Sequence, residues 1–91
     1  MNNFDNQVAI VTGAGQGIGL EICRQLVSQG ASVILNDIDK SLGVSVARAI
    51  TKDEGVCVAV PGDAADIHFI QRLVSESVSH FGKLDIVIAN A

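Results

Sequence analysis

Two hydrophobic patterns alternate along the chain. Four short runs are almost continuously apolar and rich in β-branched residues, which is typical of strands buried on both faces of a parallel sheet. These runs cover residues 7–12, 31–36, 56–60 and 84–89. The longer stretches between them repeat apolar residues every three or four positions, so the pattern predicts the order β-α-β-α-β-α-β.

The three longer stretches predict amphipathic helices with defined ends. Gly30 and Gly55 are expected to stop the first two helices, at residues 17–29 and about 41–53. Asp66 is placed to cap the third helix, and Gly82 ends it. The side chains expected to face the core are Ile18, Ile22, Cys23, Leu26 and Val27 in the first helix, Leu42, Val46, Ala49 and Ile50 in the second, and Ile70, Leu73, Val74, Ser77, Val78 and Phe81 in the third.

Short connections and right-handed crossovers restrict how these elements can assemble. The fold class they predict is α/β, a Rossmann-type doubly wound parallel sheet in partial form, with strand order 3-2-1-4 and helices on both faces. The last strand is then an edge strand. The 91 residues are expected to form one incomplete dinucleotide-binding half-domain.

Composition narrows the possible partners. The chain is 48% hydrophobic with a formal net charge of -4, which disfavours disorder and provides no basic stripe for nucleic acid or an anionic membrane. No apolar run approaches the roughly 20 residues of a spanning helix, and residues 1–6 are polar and acidic, unlike a leader. A cytoplasmic protein is therefore expected.

Cysteines and histidines give no metal-ligand pattern. Cys23 and Cys57 are far apart in sequence and lie in apolar segments, so they are expected to be buried as small hydrophobic residues. His68 and His80 share one predicted helix but not one-turn spacing, and we expect both at the surface. No metal site is predicted.

The segment 12–19, T-G-A-G-Q-G-I-G, joins the first strand to the first helix. Backbone N-H groups at a helix N-terminus bind a pyrophosphate well when no side chains keep the backbone away. The same glycines in another context would form only a tight turn. The spacing matches neither G-x-G-x-x-G nor the Gly-Lys-Ser/Thr of a triphosphate loop.

The pattern T-G-x-x-x-G-x-G resembles that of the short-chain dehydrogenase/reductase family. Asp37 ends the second strand at the position from which the family's acid reaches the adenosine ribose, and Asp63 with Ala64 resembles its adenine contact. Without the rest of the pattern, each aspartate would be an ordinary turn residue.

The resemblance continues through the fourth strand. Leu84 and Asp85 resemble the family's usual start of that strand, and residues 89–91 resemble its Asn-Asn-Ala-Gly segment under the nicotinamide-side ribose, with Ala89 in place of the first asparagine. The resemblance thus runs from Val8 to Ala91. The residues it assigns to cofactor binding are Gly13, Gly15, Gln16, Gly17, Ile18, Gly19, Asp37, Ile38, Asp63, Ala64, Asn90 and Ala91.

The cofactor implied is a nicotinamide dinucleotide, NAD in preference to NADP. Asp37 would repel a 2'-phosphate, and the loop from Gly13 to Gly19 carries no basic residue to attract one.

The family's chemistry uses a tyrosine to exchange a proton with substrate, a lysine one turn later and a serine. The chain contains no tyrosine, so no catalytic residue is assigned to it. One hypothesis is a truncated NAD-dependent oxidoreductase, a homo-oligomer by family resemblance, that would transfer hydride to or from a carbonyl or alcohol. The alternative is a non-catalytic dinucleotide-binding module. The stop inside the Asn-Ala-Gly-like segment favours truncation.

Overall fold

A computed structural model describes residues 3–52 and 56–90 of the chain. The predicted alternation of strands and helices is confirmed. The elements are β1 (Val8–Val11), α1 (Gly17–Ser28), β2 (Ser32–Leu35), α2 (Lys40–Lys52), β3 (Val56–Ala59), α3 (Ile67–Phe81) and β4 (Ile86–Ile88). Each strand is a little shorter than its apolar run. The predicted stop of the second helix at Gly55 lies outside the described residues.

The four strands form one parallel sheet in the order β3-β2-β1-β4, which confirms the predicted fold class. Val11 pairs with Leu35 and with Ile88, so β1, β2 and β4 end level with one another. The loops that follow these three strands therefore meet at one edge of the sheet.

Successive strand residues point to opposite faces of the sheet and build two cores. Ala9, Val11 and Leu35 belong to the cluster that also contains α1 and α2 side chains. Ile10 and Ile34 belong to the second cluster, which contains Leu73 of α3. Two helices thus cover one face and the third covers the other, as in a doubly wound sheet.

The core-facing side of α3 confirms the prediction for Leu73, Ser77 and Phe81 but not for the other three residues. Ile70, Val74 and Val78 were expected in the core but are 37%, 40% and 51% exposed. The helix packs against β1 and β2, so only the adjacent row at four-residue spacing reaches the sheet. That row is Phe69, Leu73, Ser77 and Phe81. Ala49 of α2 and Ile18 of α1 were also expected in the core but are exposed.

The start of β4 is fixed by a side chain. The Asp85 carboxylate accepts the Val8 N-H at 2.8 Å, and the Asp85 N-H donates to the Val8 carbonyl at 2.9 Å. Lys83 lies 3.1 Å from the same carboxylate. The Val8 N-H, assisted by Lys83, holds the pKa of Asp85 below its usual 3.8. Asp85 therefore ties β4 to β1 at the end of the sheet opposite the glycine loop.

The cysteine and histidine predictions are confirmed within the described residues. Cys23 and Cys57 are buried free thiols, and burial raises the pKa of each to about 12. His68 and His80 are exposed on α3, and His80 lies 3.1 Å from Glu76. Over residues 3–52 and 56–90, the structure contains no helix that combines the length and apolar character needed to cross a membrane.

Candidate functional site

A cleft of about 470 Å³ opens at the carboxyl ends of the strands. It lies beside β1, where the strand order reverses, because β2 and β3 lie on one side of β1 and β4 lies on the other. Doubly wound sheets bind ligands at such a point. Its lining comes from the segments after all four strands: Thr12, Gly13, Asn36, Asp37, Ile38, Gly62, Asp63, Ala64, Ala65, Ala89 and Asn90.

A second groove, of about 540 Å³, runs along the outer side of α2. It is lined by one helix only, with Lys40, Ser41 and Arg48 among its residues. We place the functional site in the smaller cleft, because four separate segments converge there.

The glycine loop has the backbone that its sequence requires. Gly13 and Gly17 adopt φ values of +60° and +64°, a left-handed conformation that favours glycine. A Cβ on Gly13 would overlap the Asn90 carbonyl oxygen, and one on Gly19 would lie 2.5 Å from the Gly13 carbonyl. These glycines therefore let α1, the loop and the end of β4 pack at backbone contact.

The N-terminus of α1 is open to an anion. Gln16 is the N-cap but its side chain makes no capping hydrogen bond, and the first turn carries no acidic residue. A Cβ built on Gly17, the first helical residue, would contact no other residue within 4 Å, so the space beside Gly17 is open. The helix dipole and its unpaired N-H groups favour a phosphate at this point.

Asn90 has a clear role inside the protein. Its side-chain amide donates to the Gly13 carbonyl at 3.0 Å, and its backbone N-H donates to the Thr12 hydroxyl at 3.0 Å. These bonds join the end of β4 to the glycine loop. Asn90 also lines the cleft, whereas Ala91 lies outside the described residues.

Asp37 lies at the mouth of the cleft and is half-buried. Its carboxylate accepts the N-H of Gly15 and the N-H of Asp39, each at 2.9 Å. The aspartate predicted to reach the ribose is thus already attached to the glycine loop. Ile38 beside it is 73% exposed, which leaves an apolar surface at the same rim.

Asp63 and Ala64 also line the cleft, in the segment that follows β3. The Asp63 carboxylate accepts the Ala65 N-H at 2.9 Å, which shapes a tight turn of the kind aspartate favours. Asp63 is exposed, so its carboxylate keeps room for a further donor.

Asn36 was predicted only as the last residue of a strand. Its side chain is 1% exposed and donates to the Val60 and Gly62 carbonyls at 3.0 and 3.1 Å. It therefore holds the turn that carries Asp63 against the end of β2. A polar residue ending an apolar run was the available signal, but the sequence did not indicate its acceptors.

The cleft brings together part of the predicted set. Gly13, Asp37, Ile38, Asp63, Ala64 and Asn90 line it directly. Gly15 and Gly19 are buried behind the loop, while Gln16, Gly17 and Ile18 are exposed at the start of α1. Among the residues that the structure describes, the lining includes two carboxylates and no lysine or arginine.

Comparison with known proteins agrees with this geometry. The family described as short chain dehydrogenase matches residues 7–91. The chain is 36% identical over 99% of its length to elsinochrome reductase 1 of Elsinoe fawcettii, of which it covers 34%. It is 38% identical over its full length to L-fucose dehydrogenase of Mus musculus, of which it covers 32%. The chain thus spans about a third of these relatives.

Comparison with a solved structure supports the same family. A crystal structure of hydroxysteroid dehydrogenase from Escherichia coli superposes with a TM-score of 0.93 and 35% identity, over 97% of this chain and 37% of that one. The fold and the position of the cleft define a Rossmann-like doubly wound α/β protein. The chain belongs to the short-chain dehydrogenase family, whose members bind nicotinamide dinucleotides.

Proposed function

We propose that the chain is the dinucleotide-binding part of an oxidoreductase that transfers hydride between a nicotinamide cofactor and a carbonyl or alcohol substrate. The observation that carries the proposal is the cleft at the strand ends, where the glycine loop, Asp37 and Asp63 converge. The names of the relatives, a reductase and a dehydrogenase, support the same class of reaction.

Each part of the cleft has a group to bind. The loop from Gly13 to Gly19 and the N-terminus of α1 offer backbone N-H groups to the pyrophosphate. Asp37 would accept the hydroxyls of the adenosine ribose, with Ile38 beside it, and Asp63 with Ala64 would bind the adenine. By the family resemblance, Asn90 and Ala91 would contact the nicotinamide-side ribose.

The charge of the cleft favours NAD over NADP. Asp37 presents a carboxylate at the rim, and the described part of the lining carries no cation to neutralise a 2'-phosphate. At about 4 Å and an effective dielectric constant near 20, a like-charge pair costs on the order of 4 kcal/mol before screening by salt. That cost exceeds the gain from a single neutral hydrogen bond.

The test is a calorimetric titration of the protein with NAD and NADP at fixed ionic strength. We expect tighter NAD binding, and a reversed preference when Asp37→Ser is combined with Ile38→Arg. Asp5→Ser is the matched control, because it removes an exposed carboxylate on the far side of β1 from the cleft. Equal or tighter NADP binding by the unsubstituted protein would refute the NAD assignment.

We also propose that these 91 residues bind dinucleotide without catalysing its reaction. The residues assigned to binding belong mainly to the adenosine half, so ADP-ribose and NAD should bind with similar affinity. No tyrosine is available as the family's proton donor, which forfeits the roughly 10²- to 10⁴-fold of acid/base catalysis. Ketone-dependent NADH oxidation by the purified chain, after contaminating enzymes are removed, would contradict this.

The setting of the parent protein is part of the same proposal. We infer a cytosolic homo-oligomer. The family resemblance supports the oligomer, and the net charge of -4 disfavours an anionic membrane surface as a partner. Cell fractionation tests the location, and sedimentation of the whole protein tests its oligomeric state.

A further inference from the structure

Gly15 and the Asp37 carboxylate are in direct contact. The Gly15 N-H donates to Asp37 Oδ2 at 2.9 Å, and both residues are at least partly buried. A Cβ built on Gly15 would lie 2.8 Å from Oδ2 and 2.9 Å from Cγ of Asp37, and 3.0 Å from Leu42 Cδ2. Real Cβ atoms do not approach other atoms this closely, so the carboxylate and a side chain at position 15 compete for one space.

The backbone itself does not explain the glycine. Gly13 and Gly17 have positive φ values, but Gly15 is not among the residues with positive φ. An alanine at position 15 could therefore adopt the local conformation. What the glycine supplies is the room that lets the Asp37 carboxylate reach the loop.

We propose that Gly15 is a positioning residue for cofactor selectivity. Through its N-H and its missing side chain it fixes the Asp37 carboxylate where that group accepts a ribose hydroxyl and repels a 2'-phosphate. The proposal rests on the dinucleotide-binding function proposed above. It adds a residue that acts through Asp37 rather than through the ligand.

The physical basis is preorganisation of a short charged side chain. Gly15 holds one carboxylate oxygen and Asp39 holds the other, so both are oriented before a ligand arrives. A fixed carboxylate cannot turn away from an incoming phosphate, and it loses little conformational freedom when it accepts a hydroxyl. An alanine at position 15 displaces the carboxylate, because that is the movable end of the contact.

The experiment is a double-mutant cycle with Gly15→Ala and Asp37→Ser. The measured quantity is the ratio of the NADP and NAD dissociation constants, by calorimetry on the folded protein. We expect Gly15→Ala alone to lower the ratio at least about fivefold, since a hydrogen bond to a charged group is worth about tenfold or more. In the Asp37→Ser background, the same substitution should change the ratio less than about twofold, because the carboxylate is gone.

A matched control and a second variant sharpen the test. A Cβ on Gly43 would lie 3.8 Å from the Asp37 Cβ, an ordinary contact, so Gly43→Ala should leave the ratio unchanged. Asp37→Glu keeps the charge but moves the carboxylate away from the Gly15 N-H, and should lower the ratio towards that of Asp37→Ser. This variant leaves the loop intact, so it remains informative if Gly15→Ala fails to fold.

The two levels of the proposal fail differently. If the unsubstituted protein binds neither NAD nor NADP, the proposed function is wrong and the role of Gly15 is lost with it. If it prefers NAD but Gly15→Ala has the same effect with and without Asp37, or Asp37→Glu keeps the original ratio, only the role of Gly15 is overturned.

Discussion

Replacing Asn36 with leucine removes the two hydrogen bonds that hold the turn after β3 against the end of β2. The two side chains are similar in size, so the substitution changes hydrogen bonding with little change in volume. The Asn36 amide donates to two carbonyls, at Val60 and Gly62, from a side chain that is 1% exposed. Neither acceptor can bond to a leucine.

The expected loss follows from the burial of each acceptor. The bond to Val60 is buried, and leaving its carbonyl without a donor costs about 1–3 kcal/mol. The bond to Gly62 is part-buried, and its carbonyl can recover water, so its loss costs about 0.5–1.5 kcal/mol. The free energy of unfolding should therefore fall by about 1.5–4.5 kcal/mol, a large share of the roughly 3–5 kcal/mol that so small a core supplies.

Urea unfolding followed by far-ultraviolet circular dichroism measures this loss. With a slope near 1 kcal/mol per molar urea, the urea midpoint should fall by about 1.5–4.5 M. ADP-ribose binding should also weaken, because the turn that carries Asp63 loses its support. Asn3→Leu is the control, since Asn3 is exposed. If Asn36→Leu changed the free energy of unfolding by less than about 0.5 kcal/mol, as the control does, these two hydrogen bonds would not support the turn.

The remaining predictions concern the sheet and the loop. The Val8 N-H holds the pKa of Asp85 in the folded protein below 3.8, so the stability contributed by this carboxylate is present above pH 3.8 and is lost as pH falls through the folded-state pKa. Asp85→Asn should therefore make the free energy of unfolding depend less on pH in this range. An unchanged dependence of stability on pH would contradict this. Gly13→Ala should destabilise the protein more than Gly17→Ala. Both substitutions strain a backbone with positive φ, but only the new Cβ at position 13 overlaps the Asn90 carbonyl oxygen. Equal urea midpoints for the two variants would disprove this overlap. Within the part of the chain that the structure describes, β4 pairs with β1 alone and exposes Val87. The chain should therefore self-associate at tens of micromolar through this edge, and Val87→Lys should reduce the association. Sedimentation as a stable monomer would rule this out.

The sequence determined the order of the elements and the strand order of the sheet. Hydrophobic periodicity is a local property, and it indicated all four strands and three helices to within a few residues. The capping of the third helix by Asp66 and its end at Gly82 were predicted equally well, because caps depend on residues next to the helix end. Right-handed crossovers then left one arrangement of the sheet.

The candidate site was predictable where its residues follow strands. Parallel strands place their carboxyl ends at one edge, so residues as distant as Gly13, Asp37 and Asp63 were expected to meet, and they line one cleft. The resemblance to a family assigned roles to these positions. It did not indicate that Asn36 supports them, since hydrogen-bond partners 24 and 26 residues away leave no local pattern.

Only the tertiary structure decided which apolar side chains are buried and which polar groups meet. The third helix carries two adjacent apolar rows, and packing on β1 and β2 buries the one through Leu73 while Val74 and Val78 remain exposed. Hydrophobic periodicity gives the angle of each side chain around the helix axis, but not the direction in which the sheet lies. The contact of Gly15 with Asp37 was set in the same way, by the approach of two loops that the sequence separates by 22 residues.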